Sequence, residues 1–459
     1  MSSPSDAIDL DELDSYIPSD LYDHVLDKLA VEASMPVGSA ICRFAQAPKL
    51  LPHNSSVSFS QTPPTIFTTL QTLEISYSQW LALPIPPTGQ LLALCERIQK
   101  LKSRYHRTSE PLPCSLEIYS SSGTVYAPIW LLEPWLSLGN LVSHVHSWST
   151  AIQELKCVSQ SSSTYSQLAA SALARLSALP VDAEVPLLEK FRTCFLPRFL
   201  SNSWLSDEHV NAGGRYINAH PECPPTLRTL DSLFLQHLES RFPDHRAPIR
   251  RHRPHPIDKL IASQAVHELL LPVYRQLEPH WTLIYINVSA QTYSYADTLC
   301  LENISGPSSI TRVMNAWLTA VCGVQVSLMV SPRPFPLAEQ FDSHSCGVAV
   351  LSTMAHYALH GNSNFNAWAQ ETAYMHRLQW LLRLSEPSML DKYKATLDPP
   401  KSGTAVLNAC TTKVAQNVDG PVDFDECEYE SEDDSAPVVV TTRGKLSRVS
   451  PKFLNQDSA

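Results

Sequence analysis

The sequence predicts an α+β chain with a mixed central sheet flanked by helices, and three observations predict it. Thr282–Val288 (TLIYINV) is nearly continuous apolar text, as expected of a central strand covered on both faces. Strand-like and helix-like segments alternate between about residues 181 and 386. Within Gly347–His360, Val348, Leu351, Ala355 and Leu359 recur on one helical face.

Taken in order, residues 1–60 are acidic and Ser/Pro-rich, and little order is expected there beyond a short helix at Leu21–Val31. Residues 61–160 form an N-terminal α/β or helical region to which no role is assigned. It holds helical spacing over 65–107, then strands at Leu116–Tyr119 and Val125–Trp130 around the turn text Ser120–Gly123. An amphipathic helix at Leu136–Val158 and a linker at Ser159–Ser163 follow. The region 181–386 opens with helical text at Phe191–Leu205 and continues with helices at Thr226–Arg241 and Asp258–Leu269. Strands are expected at Leu271–Tyr274, Thr282–Val288, Gln291–Ala296 and Val324–Val330, with a helix at Ser309–Cys322. Residues 387–459 read as a disordered tail, acidic then basic: eight of the twelve residues Asp423–Asp434 are acidic.

Composition excludes several classes. A net charge of −11 argues against a general nucleic-acid binder, which would show a basic face. No apolar run is long enough for a membrane span, and the acidic N-terminus lacks the order of a secretory signal. The eleven cysteines contain no C-x-x-C pair, so no structural zinc site of ordinary spacing, no metal and no cofactor are expected. Scattered thiols in odd number fit a reducing, intracellular compartment, with nucleus against cytosol left open.

The chemistry sits in EPHWTLIYINV, SYADTL and EQFDSHSCGVAVL. A cysteine nucleophile needs a thiolate, a base within reach, and donors for the developing oxyanion. Cys346 immediately precedes the predicted helix, whose free N–H groups and dipole stabilise a thiolate. Gly347 would let a substrate backbone approach closely. His280 precedes the central strand and Asp297 ends the neighbouring hairpin strand, so both can project from the same end of the sheet. Asp297 would hold the imidazole in the useful tautomer. Gln340, six residues before Cys346 in an extended loop, offers an amide to the oxyanion. Each residue alone has a bland reading: core cysteine, structural histidine, turn-capping aspartate, loop amide.

The ordered set resembles the SUMO/sentrin-specific proteases of the ubiquitin-like protease family. The motifs are His280-Trp281, Tyr295-Ala296-Asp297-Thr298, and Gln340 through Cys346-Gly347; Trp204-Leu205-Ser206-Asp207 matches that family's W-L-x-D element. The resemblance covers about residues 190–385. It implies a papain-like cysteine protease fold and a Cys346–His280–Asp297 triad with Gln340 as oxyanion donor. Trp204 and Trp281 would wall a tunnel for the Gly-Gly end of a ubiquitin-like modifier of the SUMO type, with Asp207 facing a basic residue on it or capping its own helix. Two departures stand out. Ser345 replaces the aspartate common before the cysteine, and Gly213-Gly214 interrupt the helix text after W-L-x-D, at about 1 kcal/mol per glycine.

Other text is open to docking roles. Ala7–Asp11 resembles a SUMO-interacting motif, Val438–Val440 follows the acidic run, and His245–His255 is a basic loop. Two alternatives to a modifier-specific isopeptidase also stay open: a modifier-binding scaffold with little turnover, and a cysteine protease of other specificity carried by a mobile element.

Overall fold

The computed structural model describes residues 19–45, 56–64, 85–108, 113, 115–120, 123–161, 164–188, 190–243, 255–275, 279–299, 306–332, 335, 337–359 and 365–386. The chain divides into the units Met1–Gly403 and Thr404–Ala459, and all described residues fall in the first. The text at Ala7–Asp11, the acidic run Asp423–Asp434, Val438–Val440, the basic loop over 245–254 and the spacing over 65–84 lie outside the described residues.

The N-terminal part contains helices α1 (Ser19–Ala33) and α2 (Val37–Phe44), then strand β1 (Ser56–Ser60) and helix α3 (Thr88–Thr108). Strands β2 (Ser115–Ser120) and β3 (Gly123–Pro128) join β1 in an antiparallel sheet, and helices α4 (Leu132–Gln160) and α5 (Ser166–Leu176) follow. Helix α1 covers the helix expected at Leu21–Val31, but α2 and β1 also stand before residue 61, where no further order was expected. The physical reason is long-range. Met35 and Val37 pair their backbones with Val181 and Leu179, while Val37, Ala40 and Phe44 are buried. Helix α4 supplies the spine: Leu138, Leu141, Val145, Trp148, Ile152 and Leu155 recur every three or four residues and are buried. The Trp148 indole N–H donates to the Val181 carbonyl at 3.0 Å.

Downstream, a 3₁₀ segment (Thr193–Leu200) leads through Trp204 into α6 (Asp207–Ala219), then β4 (Leu227–Thr229), α7 (Phe234–Arg241) and α8 (Pro256–Ala262). Strands β5 (Glu268–Arg275), β6 (His280–Asn287) and β7 (Thr292–Ala296) come next, then α9 (Ser308–Cys322), β8 (Met329–Val330), α10 (Cys346–Ala358) and α11 (Ala373–Leu384). Among the described residues the second sheet has the order β4-β5-β6-β7-β8. Its central pairings are antiparallel and both edge pairings parallel, so the sheet is mixed.

Both faces of this sheet are covered, which explains the unbroken apolar text of β6. Leu270, Trp281 and Leu283 join a core with α4, α6, α10 and α11 residues. Leu269, Leu271, Ile284 and Ile286 face a second core built with α7, α8 and α9.

Several expected boundaries move. Leu227–Thr229 is a strand rather than the start of a helix, because it pairs in parallel with Glu268–Leu270. The helix expected over Asp258–Leu269 stops at Ala262, where Gln264 turns at φ 59° and the chain enters β5. Of Val324–Val330 only Met329–Val330 is strand, and Val324 is 60% exposed. Helix α6 forms despite its paired glycines because its neighbours require them. A Cβ on Gly213 would lie 2.4 Å from Leu351 Cδ2 in α10, and one on Gly214 3.2 Å from Thr229 Oγ1 in β4.

Candidate active site

Antiparallel pairing of β6 and β7 places the start of one beside the end of the other. His280 opens β6 and Asp297 follows the last residue of β7; both are buried. The imidazole Nε2 lies 2.8 Å from Asp297 Oδ1. The same carboxylate accepts the Leu299 backbone N–H at 2.9 Å and the Arg275 guanidinium at 3.3 Å. Burial alone would raise the Asp297 pKa. Hydrogen bonds from His280 and Leu299, with the charges of His280 and Arg275, hold it below the ordinary value.

Cys346 is the first residue of α10 and is buried. It approaches the same imidazole. Burial pushes His280 down, but hydrogen bonds with Asp297 and Cys346 and their charge outweigh it and bring its pKa up to about 9. Because Nε2 is taken by Asp297, Nδ1 is the ring nitrogen left for the sulfur. The structure thus brings Asp297, His280 and Cys346 into one buried array.

Gln340 is held next to this array from both ends of its amide. Its Oε1 accepts the Thr298 hydroxyl at 2.8 Å, and its backbone N–H donates to the Thr298 carbonyl at 2.9 Å. Its Nε2 donates to the Asp342 carbonyl at 2.6 Å and to Asp342 Oδ1 at 3.0 Å.

Asp342, given no role from sequence, is the hub of the cysteine loop. Beyond Gln340, its carboxylate accepts the backbone N–H groups of His344 and Ser345 at 2.8 and 2.7 Å. It also accepts the Ser345 hydroxyl and the Gln370 amide, each at 2.6 Å. Burial opposes its charge, but the bonds from Ser345, His344 and Gln370 hold the carboxyl far below the usual carboxylate range. Ser345, the departure at the position before the cysteine, is therefore a donor to an acid three residues earlier.

Arg377 of α11 is the other residue that sequence reasoning missed. Buried within an apolar helix, it donates to the carbonyls of Ser201 at 2.9 Å, Ser203 at 3.2 Å and His344 at 2.8 Å. It ties the segment entering Trp204 to the segment entering Cys346. Its sequence signal was an arginine, one of two with Arg383, set among the apolar residues of Ala373–Leu384.

The residues expected to contact substrate divide. Trp204 is half-buried, and its indole N–H donates to the Ser343 carbonyl, beside the cysteine loop. Trp281 is 1% exposed and donates to the Leu205 carbonyl at 2.8 Å, so it presents no open wall here. Gly347 is buried as well. A Cβ there would lie 2.9 Å from Leu205 Cβ and 3.2 Å from Trp281 Cδ1, so its lack of a side chain serves the packing of α10. Asp207 lies in the first turn of α6; burial and the adjacent Glu208 raise its pKa.

No protein-family model and no curated protein matches the chain. Among solved structures, a Ulp1 protease domain in complex with SMT3, the yeast ortholog of SUMO, aligns at 13% identity and a TM-score of 0.34, over 51% of this chain and 93% of that one. The Chaetomium thermophilum Ulp1-like SUMO protease catalytic domain aligns at 18% identity and 0.30, over 40% and 73%. The Chlamydia trachomatis effector Cdu1 bound to ubiquitin aligns at 16% and 0.25, over 41% and 94%. The chain is similar to these Ulp1-type SUMO proteases and to this ubiquitin-bound effector at identities and TM-scores too low to bear on function, which rests on the geometry of the site.

Proposed function

We propose that the chain is a cysteine-type peptidase or isopeptidase of papain-like arrangement that cleaves after the C-terminal Gly-Gly of a ubiquitin-like modifier, of the SUMO type first. The observation that carries this reading is the buried Asp297–His280 hydrogen bond at 2.8 Å, with His280 in turn against Cys346 at a helix N-terminus.

With its pKa brought up to about 9, His280 holds a proton at neutral pH and stands beside Cys346, the nucleophile. The thiolate attacks the glycine carbonyl, and the N–H groups of the first turn of α10 donate to the oxyanion. His280 gives its proton to the departing amine as the C–N bond breaks. As a neutral base it then takes a proton from water, which releases the carboxylate and restores the thiolate. Gln340 joins the oxyanion donors by exchanging its bond to Asp342 Oδ1 for the substrate oxygen. Asp297 keeps the imidazole oriented throughout. Trp204 and Asp207 flank the approach, and Trp281 and Gly347 support it from beneath.

SUMO and ubiquitin bearing C-terminal electrophiles test the reading. The SUMO probe should form a covalent adduct that Cys346→Ala abolishes. Labelling that survives Cys346→Ala, or no adduct with either probe from protein whose Cys346 alkylates normally, would overturn it.

A further inference from the structure

We propose that His144, Asp182 and Cys194 form a binding site for a divalent transition-metal ion, zinc by its ligand chemistry, distant in role from the cysteine array. The imidazole nitrogen, a carboxylate oxygen and the sulfur all lie within 4.8 Å of one another. They come from three separate places: the middle of α4, the loop after α5, and the start of the 3₁₀ segment.

The first supporting observation is an orphaned donor atom. His144 Nδ1 is buried, has no hydrogen-bond partner, and faces Asp182 Oδ2 from 3.5 Å. That separation is long for a hydrogen bond and falls within the spacing between two ligands of one zinc ion, about 3.3–3.8 Å for bonds of about 2.0–2.3 Å.

The second is a supporting shell. Asp182 Oδ1 accepts Arg192 Nε–H at 2.5 Å, which orients the carboxylate and leaves Oδ2 toward the histidine. The backbones on either side are already fixed. Asp182 N–H donates to the Ala33 carbonyl at 3.0 Å, and Thr193 N–H to the Ala183 carbonyl at 2.8 Å. The Thr193 hydroxyl accepts the Ala183 N–H at 2.8 Å.

The donor set is chemically selective. One nitrogen, one sulfur and one oxygen suit zinc or cobalt rather than magnesium or calcium, which prefer oxygen alone. Binding releases the thiol proton to solvent. Thiolate and carboxylate then balance the dication, while Arg192 keeps its own bond to Oδ1. The His144 side chain is 29% exposed, which gives the ion a path and room for water as fourth ligand. No short sequence spacing announces such a set, which is why the absence of C-x-x-C pairs does not speak to it. A bound ion would pin α4 to the segment that leads into Trp204.

The bland alternative is a polar cluster in which the thiol donates to the carboxylate and no metal binds. Cobalt(II) separates the two. The full chain carrying Cys346→Ser, which removes the other buried cysteine–histidine pair, is stripped with a chelator and titrated. Binding of about one equivalent should produce a sulfur-to-cobalt charge-transfer band in the near ultraviolet and tetrahedral visible bands, both displaced by zinc. Zinc should also raise the melting temperature. Cys194→Ser should abolish the charge-transfer band. Because Cys194 is buried, the part-exposed His144→Ala provides a second check and should weaken binding about tenfold or more. Absence of the band in folded protein at excess cobalt, or a band that persists in both variants, would overturn the proposal.

Discussion

The Gln340 amide nitrogen gives both its hydrogens to Asp342, one to the backbone carbonyl at 2.6 Å and one to the carboxylate at 3.0 Å. The residue expected to serve the oxyanion is thus held by an acid two positions away, and the same acid gathers the backbone just before Cys346. Asp342→Ala would leave Ser345, His344, Gln370 and Gln340 without their shared acceptor. It should cost about 2–4 kcal/mol in chemical denaturation, given about 1.5–3 kcal/mol for a hydrogen bond to a charged group and water entering in its place. It should also slow probe labelling more than alkylation by a small thiol reagent, because oxyanion geometry matters only to the former.

The pH dependence follows from His280. Its folded pKa is raised to about 9 from an ordinary value near 6.5, so the stability it contributes is complete below about 6.5 and is lost as pH rises toward 9. Amide cleavage, which needs the imidazolium as proton donor, should fall above about pH 9, whereas alkylation of Cys346 should not. Asp297→Asn should shift that alkaline limb to lower pH, because it removes a partner that favours the charged ring. A limb that stays in place would contradict the assigned hydrogen bond.

Gly213→Ala should destabilise the fold even though alanine favours helices by about 1 kcal/mol, since overpacking typically costs about 1–3 kcal/mol and its Cβ would collide with Leu351. Gly214→Ala, where the nearest atom is a hydroxyl at 3.2 Å, should be milder. Denaturant midpoints of the two variants check the order.

The two tryptophans should separate in their effects. Trp281→Ala empties a fully buried site and should cost about 3–5 kcal/mol. Trp204→Ala, at a half-buried position, should cost much less stability and raise KM for a modifier substrate, with small-reagent alkylation of Cys346 unchanged.

The convergence of the candidate site residues was legible because they sit at the ends of elements with strong local signals. His280 opens an apolar strand, Asp297 follows its hairpin partner, and Cys346 opens a helix with a clear apolar face. Period and order in the chain determined that much: a mixed α+β core and the His, Asp, Gln, Cys succession. Tertiary structure decided the rest. It made Leu227–Thr229 a strand by pairing it with β5, and it turned Gly213 and Gly214 from helix breakers into contact points. It also buried Trp281 and Gly347, and it placed Arg377 between two loops more than a hundred residues apart. Asp342 was in plain view within its motif, yet its role depends on where five neighbouring donors converge. A local pattern reports which face of an element meets the core. Only the packed chain determines which distant groups share a buried acceptor, because burial makes that pairing obligatory.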